Sequence, residues 1–273
     1  MGKTIFVLLD ACGYKIATEN LGFLEHMVDY GLAAKYKIRG ELPSMSRPMY
    51  ETLMTGVPAY VHGITCNEVV RNSNQISIFK ICKEAGLVTG AAAYFWMSEL
   101  YNRAPFDKHR DRIQFGTGNG LIDYGIYYWE DTYPDSHLFM DGEFIRKTFK
   151  PDFMLYHPMS IDLAGHTYGA DSREYAWKVA DMGVLVADLL PGWLKDGYNV
   201  VVSADHGMNE NGLHGGPTDL QRNVPLYIFS DKVENGRFED HYIGQRNIAP
   251  LLCRLLEITL SDGMISPDAI HFK

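Results

Sequence analysis

The sequence predicts an α/β protein built on a mainly parallel sheet with helices on both faces. Three observations predict it. Short, continuous apolar runs recur along the chain, as in strands buried on both faces. Stretches of helical period separate them. Asp and His residues follow several runs directly, where open α/β sheets present residues to ligands.

Residues 3–9 form the first apolar run, and residues 17–29 a helical stretch. Residues 76–85 read as an amphipathic helix ended by Gly86, and residues 87–95 as another buried strand. Pro151 introduces a short strand at 153–157. Residues 171–190 read as a long helix stopped by Pro191-Gly192. Strands at 198–204 and 224–229 and a helix at 246–256 complete the alternation. Residues 96–150 break it: this segment is rich in aromatics, Gly, Asp and Arg, and reads as a small cap insertion in a single domain spanning 1–273.

The 273 residues suffice for one large domain with a substantial core. A net charge of −9 argues against binding nucleic-acid polymers, which needs a surplus of Lys and Arg. It leaves a small phosphate substrate open, because metal ions can supply positive charge locally. Cys12, Cys66, Cys82 and Cys253 form neither a C-x-x-C pair nor a disulfide framework, and read as free thiols of a reducing compartment. The run at 3–9 is too short for a signal-peptide core, and no stretch reaches the ~20 apolar residues of a membrane span. A cytoplasmic protein without membrane contacts is expected. Homo-oligomerisation is left open.

The chemistry gathers at the strand ends. Asp10 follows the first strand, Asp162 and His166 follow the strand at 153–157, and Asp205 and His206 follow the strand at 198–204. His214 comes next, in a Gly-rich loop. One Asp after a strand is an ordinary cap or turn residue. Six such residues at one sheet edge call for metal. Asp and His without Cys suit zinc, manganese or a related ion. Six ligands suggest two ions with three protein ligands each, and a pair about 4 Å apart can clamp the attacking and leaving oxygens of a phosphoryl transfer.

The stretch Pro43-Ser44-Met45-Ser46-Arg47-Pro48, with Thr55-Gly56 and His62-Gly63-Ile64 beyond it, resembles the alkaline phosphatase superfamily. It is most similar to the nucleotide pyrophosphatase/phosphodiesterase and phosphonoacetate hydrolase branches. The resemblance continues through Asp10, Asp162-Leu163-Ala164-Gly165-His166, Ser203-Ala204-Asp205-His206-Gly207-Met208 and His214-Gly215. It implies an alkaline-phosphatase-like three-layer sandwich and a two-metal hydrolase acting through a phosphoserine. Ser46 would be the nucleophile, and Ser44 lacks the following Pro at the right distance. Asp10, Asp205 and His206 would hold one ion, which also binds the Ser46 oxygen. Asp162, His166 and His214 would hold the second. Asn67 falls where the family places a donor to a non-bridging phosphate oxygen.

Pro48 suits the first turn of a helix, which would put Ser46 and its backbone amides against an anionic phosphate. Arg47 departs from the diesterase branch, which often has an aromatic residue there. Its planar fork could pair with a second anionic group of the substrate. The segment's Arg103, Lys108, His109, Arg110 and Arg112 could do likewise, or form a solvated face. The expected substrate is a small phosphodiester or nucleotide pyrophosphate. A small phosphonate, a phosphomonoester, and a metal-binding protein that has lost catalysis are the alternatives.

Overall fold

Strand β1 (Lys3–Leu8) is buried from Thr4 onward, because its apolar side chains find helices on both sides. The computed structural model describes residues 2–116, 118 and 120–273. Among these, eight further strands join β1: β2 (Ala34–Arg39), β3 (Thr89–Tyr94), β4 (Ile113–Phe115), β5 (Tyr124–Tyr128), β6 (Phe153–Tyr156), β7 (Tyr198–Ser203), β8 (Asn223–Phe229) and β9 (Gly236–Gly244). The sheet order is β4-β5-β3-β6-β1-β7-β8-β2-β9. The central run β5-β3-β6-β1-β7 is parallel throughout. Antiparallel pairings flank it, β4 on β5 and β8 on β7 and β2. The helices form two packed groups. Tyr14–Asn20, Gly22–Asp29, Ser160–Tyr168 and Arg173–Lys195 contact one another, as do Ser46–Thr55, Ile78–Glu84 and Ile248–Leu256. With the sheet between them, the fold is the three-layer α/β sandwich expected of the alkaline phosphatase superfamily.

Three sequence expectations are corrected. The helix at 17–29 is two helices, broken at Leu21, whose buried side chain and non-helical backbone (φ −82, ψ 52) turn the chain before Gly22. Pro191 does not stop the long helix, which runs to Lys195. Proline removes one backbone hydrogen bond, but the next turn buries Trp193 completely and lets its Nε1 donate to Glu143 at 2.7 Å. Segment 96–150 is not a separate cap throughout, since it supplies two strands of the sheet and a helix packed on it. β4 and β5 extend one edge, and the helix Asp135–Phe149 packs on β3, β5 and β6. Its basic residues are partly spoken for: Arg103 and Arg110 both pair with the buried Asp111.

The four cysteines are unpaired, three of them buried. Among the described residues, no helix is long and apolar enough to cross a membrane.

Candidate active site

The carboxyl ends of β1, β6 and β7 open toward one edge of the central sheet, and the site residues come from the segments that follow them. Asp10 is the second residue after β1. Asp205 and His206 follow β7 by two and three residues. Asp162 and His166 lie four apart, on the same face of the helix Ser160–Tyr168 that follows β6. His214 reaches in from the loop beyond β7. Its Nδ1 is 3.2 Å from the Ser44 carbonyl, which ties that loop to the segment carrying Ser46.

Ser46 begins the helix Ser46–Thr55 and is 4% exposed. Its Oγ lies 3.1 Å from His206 Nε2. Ser44 cannot compete, since its hydroxyl donates to the Gly216 carbonyl at 2.8 Å. The amides of this first turn are less free than the sequence suggests. Pro48 has none, and the amide of Arg47 donates to Asn67 Oδ1 at 3.1 Å. That bond makes Oδ1 the accepting end of the Asn67 amide and leaves Nδ2 as its donor end.

The metal-capable side chains form two groups with donor atoms within 4.8 Å of one another: Asp162, His166 and His214, and Asp10, Asp162 and His206. The first is the expected second-ion trio. The second contains Asp10 and His206, while Asp205 adjoins it with Oδ2 3.2 Å from His206 Nε2. Asp162 stands between the two groups. The histidines are oriented by their far nitrogens: His166 Nδ1 bonds the Gly212 carbonyl at 2.7 Å and His206 Nδ1 the Gly207 carbonyl at 3.1 Å. Each Nε2 is thereby left as a lone pair facing the carboxylates.

The electrostatics call for cations. Among the described residues, the ion-pair partners of Asp10, Asp162 and Asp205 are all histidines, with no Lys or Arg. Burial and the carboxylates of Asp10 and Asp131 push Asp162 well above the usual carboxylate range. Burial and the nearby Asp10 do the same to Asp205. Burial also acts on Asp10, but it is held low, chiefly by the hydrogen bond from His157. Burial and the neighbouring His214 push His206 down to about 3, so its imidazole is neutral at physiological pH. One oxygen of each carboxylate, namely Asp10 Oδ1, Asp162 Oδ1 and Asp205 Oδ2, is buried without a hydrogen-bond partner. Uncompensated buried carboxylates are costly. Three such oxygens beside three imidazole nitrogens fit a bound pair of divalent cations.

Arg47 is 1% exposed. Its Nη2 donates to Glu99 Oε2 at 2.8 Å, and the guanidinium stacks 4.5 Å from the Trp96 ring centroid. Its Nε and Nη1 have no hydrogen-bond partner. His157 and Tyr50, which sequence reasoning passed over, both donate to Asp10 Oδ2, His157 at 3.1 Å. The signal for His157 was its position at a strand's carboxyl end. Nothing in the sequence singled out Tyr50. His62 of the His-Gly-Ile motif lies in the helix layer, where its Nδ1 accepts from Ile64 N and its Nε2 is 3.1 Å from Thr52 Oγ1. It braces the turn after the Ser46 helix.

Fold and site together define a member of the alkaline phosphatase superfamily with a serine at a helix start beside clustered Asp and His. Residues 4–222 match the type I phosphodiesterase/nucleotide pyrophosphatase family, and the chain belongs to that family. Over 252 residues, 85% of this chain, it is 23% identical to the human GPI ethanolamine phosphate transferase 2 catalytic subunit. Over 117 residues, 42% of the chain, it is 30% identical to the human transferase 3 catalytic subunit. The chain spans only 24% of the first relative and 11% of the second. Murine ectonucleotide pyrophosphatase/phosphodiesterase 5, solved as an inactive variant with AMP, superposes with a TM-score of 0.75. That match covers 99% of this chain and 100% of the other at 13% identity, a likeness of fold.

Proposed function

We propose that this protein is a two-metal phosphodiesterase that cleaves small phosphodiesters or nucleotide pyrophosphates through a phosphoserine at Ser46. The observation that supports this reading is the set of three partnerless buried carboxylate oxygens clustered with three histidines, one of which, His206, has its Nε2 3.1 Å from the Ser46 hydroxyl. Asp10, Asp205 and His206 would hold one cation next to Ser46, and Asp162, His166 and His214 the other. Zinc fits this donor set best, and manganese is the alternative. The bound pair supplies positive charge to the phosphoryl oxygens and lowers the pKa of a coordinated hydroxyl.

The chain's own residues do the rest. Ser46 Oγ loses its proton to solvent and forms a bond to phosphorus as the bond to the leaving alcohol or phosphate breaks, the leaving oxygen taking its proton from solvent. Asn67, held through Oδ1, donates from Nδ2 to a non-bridging oxygen as charge builds there. Water then cleaves the Ser46–phosphorus bond and restores the hydroxyl. Arg47 directly follows Ser46, and its Nε and Nη1, buried without a hydrogen-bond partner, would answer a second anionic group of the substrate. A small molecule in a cytoplasmic setting remains the proposed context. The relatives named ethanolamine phosphate transferases favour a second reading, in which an alcohol replaces water in the last step.

Rates on bis-p-nitrophenyl phosphate, p-nitrophenyl phosphate and phosphonoacetate, with zinc or manganese added, test the proposal. The diester is expected to turn over fastest, and an added alcohol acceptor diverts product if transfer is the activity. No turnover of any of the three would overturn the proposal.

A further inference from the structure

We propose that His157 and Tyr50 are positioning residues that fix Asp10 as a one-oxygen metal ligand. This inference rests on the two-metal reading above. The Tyr50 hydroxyl and His157 Nε2 both donate to Asp10 Oδ2, and Oδ1 is left without a partner 3.6 Å from His206 Nε2. One oxygen is saturated by two donors, and the other faces the cluster.

The two donors are themselves held. The His157 amide bonds the Ala92 carbonyl at 2.9 Å, and the Tyr128 hydroxyl donates to the His157 carbonyl at 2.8 Å. The Tyr50 and His157 rings pack edge to face with centroids 4.6 Å apart. His157 Nδ1 is buried without a partner. A buried N–H with no acceptor costs more than a bare lone pair, so the ring carries its proton on Nε2 and donates it to Asp10. The Asp10 carboxylate cannot rotate to offer both oxygens to a cation without breaking both bonds. Tyr50 lies on the helix that begins with Ser46, so the same helix places the nucleophile and orients Asp10. Outer partners of this kind set ligand orientation and metal affinity.

The test counts and titrates metal without reading activity. Wild-type, Y50F, H157L and H157Q proteins are stripped, titrated with Zn²⁺ against a chromophoric chelator, and weighed by native mass spectrometry. The wild type is expected to hold two ions. Y50F and H157L should keep one at wild-type affinity and bind the other at least about tenfold more weakly. H157Q, which keeps a side-chain N–H donor, should recover most of the loss. Y50F removes only a hydroxyl, so it gives the answer if H157L fails to fold. Two ions at wild-type affinity in both Y50F and H157L would overturn the proposal, as would equal weakening of both ions. A wild type that holds fewer than two ions overturns the two-metal reading instead, before any variant is compared.

Discussion

At the scale of single residues, the roles proposed for Ser46 and Asn67 are separable. Ser46→Ala removes the proposed attacking oxygen but none of the Asp or His donors. It should retain bound metal and lose turnover by roughly 10³-fold or more, the scale on which losing a nucleophile is felt. Metal analysis beside a diesterase assay checks both halves, and full activity in this variant would discard Ser46 as nucleophile. Asn67→Ala removes one donor to the developing charge and should lower kcat by about 10²–10³. Arg47 answers to different physics. Its charge is buried against Glu99 and Trp96, so Arg47→Met leaves a carboxylate without its cation. Breaking a buried pair costs about 3–5 kcal/mol. Denaturant unfolding should show a loss of that order, and an unchanged midpoint would mean that the pair contributes nothing.

The elements show why some of this molecule was legible in the sequence and some was not. β1, β3, β6, β7 and β8 are buried along nearly their whole length, so each appears as an apolar run. β2 hides because its sequence, AKYKIR, alternates with lysine. Lys35 is nonetheless fully buried, paired with Glu25 at 2.7 Å and Glu239 at 2.9 Å from elsewhere in the chain. Only the tertiary pairing makes that strand possible. The clustered Asp and His residues were readable because they follow readable strands, whereas Tyr50 sits mid-helix and reaches Asp10 only through a long-range contact.

Backbone constraints also act at this scale. Gly212 has φ +72, and a Cβ there would lie 2.8 Å from the His166 carbonyl, while its own carbonyl orients His166 Nδ1. Gly212→Ala should destabilise by about 1–3 kcal/mol and weaken one bound ion. Wild-type metal affinity in this variant would rule out that role for the turn. His62 links element to pH. Burial and the Arg71 guanidinium push it down to about 4 from 6.5. The unfolded chain therefore binds the proton first, and stability rises with pH across that window. Its contribution is full above pH 6.5 and is lost as the pH falls through 4. Urea midpoints between those limits should vary less with pH in His62→Gln than in the wild type, and an identical slope would exclude His62 as a source.

For the whole molecule, the parallel centre of the sheet gathers Asp10, Asp162 and Asp205 at one edge of a chain that is already acidic, at −9. The fold thus gathers acidic groups in its interior, with His206 held neutral by burial and, among the described residues, no Lys or Arg paired to them. Without cations, Asp162 and Asp205 resist ionisation, and folding at neutral pH works against their raised pKa values. With cations bound to the native state alone, the same carboxylates become favourable. A site held at a thousandfold its dissociation constant adds about 4 kcal/mol. A domain of this size gains about 2–4 °C in Tm per kcal/mol. Chelation with EDTA should therefore lower Tm by roughly 10 °C or more and abolish diester cleavage, and stoichiometric zinc or manganese should restore both. Calorimetry of the stripped and reloaded protein measures the stability half, and an initial-rate assay the other. If chelation leaves Tm unchanged, the three buried carboxylates are not balanced by bound cations, and the charge of this edge must be neutralised by protons instead.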